Sequence, residues 1–264
     1  MDFLAAYPTD TWRGTTFTWI TRPGALAPVH RAALLDALQA LATETYGRDI
    51  GGYFHNQPTY FDNMTRMVLA RRDGRVTGFV ALNEEMVAAG APVLYLTSAI
   101  VAPSAQRQGV AAYVCVRAFR ELLATMPEFF FAMRTQNPVV YAPFATAFDE
   151  VFPALDGRAP SVRLRAVAIA LAATLSPECE FDSERFVIRG LYRFSQRFFD
   201  APPLSGWAEV DTLFLRELDY DRQDGFLIVG RITELALRAA IVRLPVLGAL
   251  AAIVGAADET HDRP

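Results

Sequence analysis

Apolar and polar positions alternate along the first half of the chain in a regular succession. Gly14 to Thr21 (Gly-Thr-Thr-Phe-Thr-Trp-Ile-Thr) is β-branched and aromatic and predicts a first strand ended by Pro23-Gly24. From Pro28 the period changes: Leu34, Leu35, Leu38, Leu41 and Ala42 form one helical stripe, closed by Gly47 and Gly51-Gly52. Gly52 to Asn63 is aromatic, polar and irregular, a composition found equally in cleft-lining loops and in surface loops pinned by packing. Met67–Ala70 and Val76–Leu82 are apolar runs on either side of Arg-Arg-Asp-Gly-Arg, and Asp-Gly in that position predicts a hairpin. Leu94 to Ala102 is apolar and β-prone and stops at Pro103; Val110, Tyr113, Val114, Val116, Phe119, Leu122 and Leu123 then repeat at helical spacing. After Pro127, Glu128 to Gln136 reads as another strand, and Asn137-Pro138 opens the next helix.

The connection between Ala102 and Val110 must run directly into a helix N-terminus. A first turn leaves several N–H groups without intrahelical partners, and the helix dipole makes that end electropositive. An anion, above all a pyrophosphate, is accommodated there. Gly109 allows close backbone approach, and Ala111 and Ala112 keep the turn uncluttered.

Gln106-Arg107-Gln108-Gly109-Val110-Ala111 resembles the Gln/Arg-x-x-Gly-x-Gly/Ala signature of the GNAT (GCN5-related N-acetyltransferase) superfamily, which binds the pyrophosphate of acyl-CoA. Asn137-Pro138-Val139-Val140-Tyr141 is similar to that family's Asn-x-x-x-Tyr element. The resemblance covers about residues 14–150 and is strongest over 94–141. It implies an α+β fold, a mixed sheet of α/β type splayed between its fourth and fifth strands, with an acyl-CoA arm in the gap. On this basis the phosphates fall to the backbone N–H groups of Arg107, Gln108, Gly109, Val110, Ala111 and Ala112, with Gln106 in the same loop and the Arg107 side chain as a clamp. The pantetheine arm falls along Ala99, Ile100 and Val101, with an N–H near Ile100 as oxyanion donor. Asn137 contacts the arm from the other strand, and Tyr141 protonates the leaving thiolate. Many family members carry a Glu on the fourth strand, but here that strand offers Thr97-Ser98-Ala99. The base is open among Glu84, Glu85, His55 and a water relay through Ser98.

Beyond residue 150 the pattern predicts a helix over Val162–Leu175, a strand over Arg185–Phe194, and a strand pair, Val210–Leu218 and Gly225–Gly230. The expected organisation is an acyl-CoA core over 1–150 and an extension over 151–264 that completes the sheet or forms an accessory lobe. No repeat or low-complexity linker separates them. Leu244 to Ala257 is uncharged but shorter than a spanning helix and interrupted by Pro245 and Gly248. Docking on the core or a homodimer contact is one reading; a lid over a long acyl chain or a peripheral membrane contact is the other.

Composition narrows this picture. An apolar fraction of 52% and a charged fraction of 20% describe a folded chain. A net charge of −4 leaves no general electrostatic footprint for nucleic acid. Cys115 and Cys179 are too few for a disulfide framework, and neither has the neighbours of a metal site. The N-terminal residues lack the basic and apolar segments of a signal peptide, so the expected location is cytoplasmic. The expected activity is N-acyl transfer from acetyl-CoA or another acyl-CoA, or from an acyl carrier protein, to an amine on a small molecule, amino acid or peptide. Small residues at Ala142, Ala145 and Ala147 favour a fatty-acyl donor. A non-catalytic acyl-CoA sensor or scaffold is the alternative.

Overall fold

A computed structural model of the chain describes residues 1–48, 54, 55, 59–193, 199 and 201–243. The predicted Gly51-Gly52 stop, parts of the aromatic loop at 52, 53 and 56–58, and the uncharged 244–257 run lie outside the described residues. Thr9–Trp12 (β1) pairs antiparallel with Thr15–Thr21 (β2). The pattern anticipates only the second strand, because Thr-Asp-Thr-Trp is too short to establish a period. Pro28–Tyr46 (α1) begins on proline, whose fixed φ suits a first helical position, and Gly47 ends it in the left-handed region. Leu34, Leu38, Leu41 and Ala42 are its buried stripe.

Arg66–Arg72 (β3) and Arg75–Ala88 (β4) form the predicted hairpin. Asp73 at φ +50° and Gly74 at φ +76° both sit in the left-handed region that a two-residue hairpin turn demands. Ala91–Val101 (β5) runs antiparallel to β4 and parallel to Glu128–Thr135 (β6). A parallel pair needs a long crossover, which Val110–Leu123 (α2) supplies. Pro138–Ala147 (α3) follows, capped by Asn137, whose Oδ1 accepts from the Val139 N–H at 3.0 Å.

The later elements are Val151–Phe152 (β7), Val162–Leu175 (α4), Phe181–Asp182 (β8), Val187–Ile188 (β9), Ala208–Glu217 (α5), Gly225–Thr233 (β10) and Glu234–Arg243 (α6). Among the described residues the strands make one sheet in the order β1-β2-β3-β4-β5-β6-β10-β9-β8, with β7 also on β10. β10 pairs with β6 over eight residues, from Phe226↔Thr135 to Thr233↔Glu128. Both faces of β6 are covered, so its strand reads as a continuous apolar run. Phe129 and Phe131 join a core with α2, α3, α5 and α6, while Phe130 and Ala132 join the opposite core with α4. α1 packs on that same second face, over Met67, Leu69, Phe79 and Ala81. Among the described residues no helix is long and apolar enough to cross a membrane.

Two expectations are corrected. Val210–Leu218 is the helix α5, because Val210, Leu213 and Phe214 are buried at helical spacing. Asp211 in its first turn accepts from the N–H groups of Ser205 (2.7 Å) and Gly206 (3.1 Å), which anchors the helix start. Within Arg185–Phe194 only Val187–Ile188 is strand, and Phe194 lies outside the described residues. The chain turns away at Gly190, φ +61°, whose N–H donates to the fully buried Asp224 at 2.8 Å.

Asp224 also accepts from Arg222 (2.7 and 2.8 Å), Arg189 (3.1 Å) and the Asp219 N–H (3.3 Å). Burial alone would raise its pKa. The bonds from Arg222, the Gly190 N–H, Arg189 and the Asp219 N–H outweigh that and hold it below the usual carboxylate range. A depressed folded pKa contributes stability that is present above the ordinary carboxylate pKa and lost as pH falls. Asp224→Asn should therefore cost about 3 kcal/mol at pH 7, as expected for breaking a buried charge pair. Urea unfolding should show that difference shrinking below about pH 4.

Candidate active site

The phosphate loop leaves β5 through Pro103–Ala105 and enters α2 with two left-handed residues, Arg107 at φ +60° and Gly109 at φ +84°. Gly109 is the N-cap and has no side chain to satisfy the first turn, so those N–H groups face outward. The Tyr113 N–H bonds back to the Gly109 carbonyl at 2.8 Å and starts the regular ladder. Gln106 and Gln108 shape the loop through their side chains. Gln106 Nε2 donates to the Val101 carbonyl (3.0 Å) and Gln108 Nε2 to that of Ser104 (2.7 Å). Arg72 Nη1 donates to Gln108 Oε1 at 2.9 Å, bracing the loop against the hairpin. Arg107 is exposed beside the helix end; Val110 is buried in the core; Ala111 and Ala112 are half-buried.

The loop lies next to a split in the sheet. Pairing of β5 with β6 runs from Val93↔Phe130 to Leu96↔Met133 and then stops. The next residues of the two strands line a cleft: Thr97, Ser98, Ala99 and Ile100 on one side, Arg134 to Asn137 and Val140 on the other. Its volume is about 170 Å³, on the scale of the roughly 150 Å³ cavity that takes benzene. It therefore holds the reacting end of a ligand and not a whole cofactor. The Ala102 N–H bonds to the Thr77 carbonyl (2.9 Å), and this sets the phase of the β4–β5 ladder. Ile100 and Ser98 direct their backbone groups at β4, while Ala99 and Val101 direct theirs at the open edge. The N–H of Ile100 itself, the residue near which the oxyanion donor is expected, thus faces β4. The edge facing the split belongs to Ala99 and Val101.

Residues 32–132 match the family model described as Acetyltransferase (GNAT) family. That segment is similar to a GNAT acetyltransferase domain. The matched segment spans α1 to β6, including the loop and β5, and ends before Asn137 and Tyr141. Among solved structures the chain is similar to the GNAT family N-acetyltransferase YhbS from Escherichia coli in complex with CoA. Identity is 17% over 52% of this chain and 71% of that one, with a TM-score of 0.35. It is also similar to the ribosomal-protein-S18-alanine N-acetyltransferase from Escherichia coli, at 14% identity over 82% of this chain and 94% of that one, TM-score 0.36. A third is a GNAT family acetyltransferase from Brucella melitensis in complex with acetyl-CoA, at 17% identity, 44% and 74% coverage, and TM-score 0.30. No curated protein sequence matches the chain.

The expected catalytic side chains Tyr141, Glu84 and His55 are not among the residues lining the cleft. Tyr141 is fully buried, its ring against Phe214 and its hydroxyl donated to the Pro153 carbonyl at 2.5 Å. Burial pushes its pKa well above the ordinary tyrosine value. The helical turn between Asn137 and Tyr141 aims the phenol into the core, and Tyr141, the expected thiolate acid, is not among the residues lining the cleft. Glu84 sits on β4, paired with Arg66 at 3.1 Å, and Arg66 in turn bonds Glu121 on α2. Burial raises the Glu84 pKa, with Arg66 pulling against it. That ion network lies on the α2 face and Glu84 does not line the cleft. His55 is half-exposed, 3.3 Å from Asp36, and is likewise outside the lining, whereas its neighbour Phe54 is part of it. Asn137 does line the cleft, with Oδ1 committed to capping α3.

The cleft instead draws on residues the sequence pattern does not mark: Tyr46 at the end of α1, Phe54, Tyr192 and Phe199. Their one advance signal is that Phe54 lies in the aromatic loop, since Tyr192 and Phe199 come from a half with no motif. Gly225 makes room for the Tyr192 wall. A Cβ there would meet Leu191 Cδ2 at 2.6 Å and Tyr192 Cε2 at 3.0 Å.

Removing the buried hydroxyl in Tyr141→Phe orphans the Pro153 carbonyl. Chemical unfolding should show a loss of about 1–2 kcal/mol, while steady-state thioester turnover stays within about twofold of wild type, below the roughly 100-fold or greater effect of losing a general acid.

Proposed function

We propose that the chain is an N-acyltransferase that moves a short acyl group from acyl-CoA to an amine. The observation that carries this reading is the continuity of the loop, the open strand edge and the split. The uncapped α2 N-terminus holds an anion, and the unpaired edge at Ala99 and Val101 leads from it into the cleft. A CoA pyrophosphate rests on the N–H groups of residues 107–112, with Arg107 alongside. The pantetheine arm adds to the β5 edge as a short strand. A carrier-protein thioester presents the same arm without a pyrophosphate, so CoA is the better fit. The cleft volume favours a short acyl group over a fatty one. Residues 151–264 act as an extension whose β10 holds β6 in place on the far side of the split.

In the reaction the amine nitrogen attacks the thioester carbonyl carbon, and the oxyanion gains the Ala99 N–H as donor. The C–S bond then breaks, the amide forms, and the proton lost by nitrogen passes to the departing thiolate. Among the described residues no carboxylate or histidine lines the cleft. Water held by the Thr97 and Ser98 hydroxyls is the proton path, and Thr97 Oγ1 is buried with no protein partner. The same lack of an acid or base motivates the second reading, a binding-only acyl-CoA sensor.

Isothermal titration with acetyl-CoA should show saturable binding by wild type, and Gly109→Glu should abolish it, because the substitution places a carboxylate and a strained φ at the cradle. Thiol release with an amine present identifies the transferase; binding without release identifies the sensor. A wild-type protein that binds neither acetyl-CoA nor a longer acyl-CoA sinks the proposal.

A further inference from the structure

Residues from both faces of the sheet line the split, and the two faces contribute differently. Asn137 and Val140 reach it from the α2/α3 face, where the phosphate loop lies. Tyr46 and Phe54 belong to the α1/α4 face, where Phe54 packs among the α1 residues. Leu191, next to Tyr192, joins the α4 core on that same face, and Phe199 meets Tyr46 edge-on with ring centroids 6.1 Å apart. Ser98 shares this face with Ile100 by strand alternation. One side of the cleft is thus polar backbone beside an anion cradle, and the other carries the half-buried rings of Tyr46, Tyr192 and Phe199 together with the fully buried Phe54.

The charges agree with this division. Arg134 is the charged residue among those lining the cleft, and its guanidinium donates to the Tyr95 hydroxyl (2.8 Å), the Leu175 carbonyl (2.7 Å) and Ser176 Oγ (2.8 Å). Among the described residues no carboxylate stands in the lining to receive a cation. A polyamine or an amino sugar bearing several ammonium groups would lose water there and gain no counter-charge from the described lining. A flat apolar body stacks on the rings and leaves its single amine at the thioester.

We infer that the acceptor is an amine carried on an aromatic body, an arylalkylamine, and that Tyr46, Tyr192 and Phe199 form its binding wall, with the buried Phe54 in the core beneath. The inference rests on the transferase reading and names the substrate class for that site. The buried Asp224 clamp sets the place of Tyr192. The Tyr192 N–H donates to the Gln223 carbonyl at 3.1 Å, one residue from that carboxylate.

The test is acetyl-CoA-dependent thiol release by the full chain with phenethylamine, tryptamine, spermidine and kanamycin as acceptors. The expected result is a higher kcat/KM for the two arylalkylamines than for the two polycations. Tyr192→Ala and Tyr46→Ala should each raise the arylalkylamine KM about tenfold, the scale of one lost aromatic pair. Acetyl-CoA affinity should match wild type in both variants. Equal or better turnover of spermidine or kanamycin overturns the inference, as does an unchanged arylalkylamine KM in both alanine variants. Acetyl-CoA binding with no turnover of any amine overturns the inference together with the transferase reading. Failure to bind acetyl-CoA at all overturns the donor site, a result distinguishable from the others by titration.

Discussion

The structure depends on two adjacent strands that begin as partners and then part. β5 and β6 pair through Leu96↔Met133 and separate beyond it, because each is held more extensively by its other neighbour. β5 follows β4, with the register shifting at Thr97, which falls between the Leu82↔Leu96 and Ala81↔Ser98 pairs. An extra residue at such a point bends its strand and increases its twist. β6 follows β10 along its whole length. The backbone groups left over on the β5 edge are exposed to the cleft, where a ligand can pair with them. The phosphate loop needs no separate positioning, since it is the continuation of the same edge into α2.

The C-terminal half is part of this architecture in a direct way. Without β10 the second edge of β6 would be open, and nothing would hold β6 away from β5. β10 in turn begins at Gly225, immediately after the Asp224 clamp, and the clamp draws in the Gly190–Tyr192 segment. One buried carboxylate therefore links the strand that maintains the split to the side chain that walls it. Burial of Asp224 is tolerated because two guanidiniums and two backbone N–H groups meet its oxygens.

Much of this was legible in the residues. The Asp73-Gly74 turn, the Pro28 and Asn137 helix starts and the Gly109 entry into α2 are decided by local backbone preference, which acts over a few positions and needs no partner. The 162–175 helix was legible for the same reason. Val210–Leu218 was not, since Val-Asp-Thr-Leu-Phe-Leu fits both periods and only burial of Val210, Leu213 and Phe214 on one side selects the helix. The short strands β7 and β9 are too brief to show a period and exist because β10 offers an edge, and β8 because β9 in turn offers one.

The candidate site divides along the same line. The anion cradle is a property of one continuous segment, so its chemistry could be read from Gln106 to Ala112 without a fold. Tyr141 shows the opposite case: a suitable residue at a suitable spacing, turned into the core where its hydroxyl is spent on Pro153. Helical phase alone cannot say which side of α3 faces the split, because α3 is apolar on most sides and its neighbours α5 and α6 come from distant sequence. The sequence by itself determined the main elements from Thr15 to Ala147 and the one motif that is local in space as well as in order. Only tertiary structure decided where the sheet parts, which backbone edge is free and which aromatic rings meet there. Those outcomes depend on contacts between residues as far apart as Tyr46 and Phe199, and no local preference encodes them.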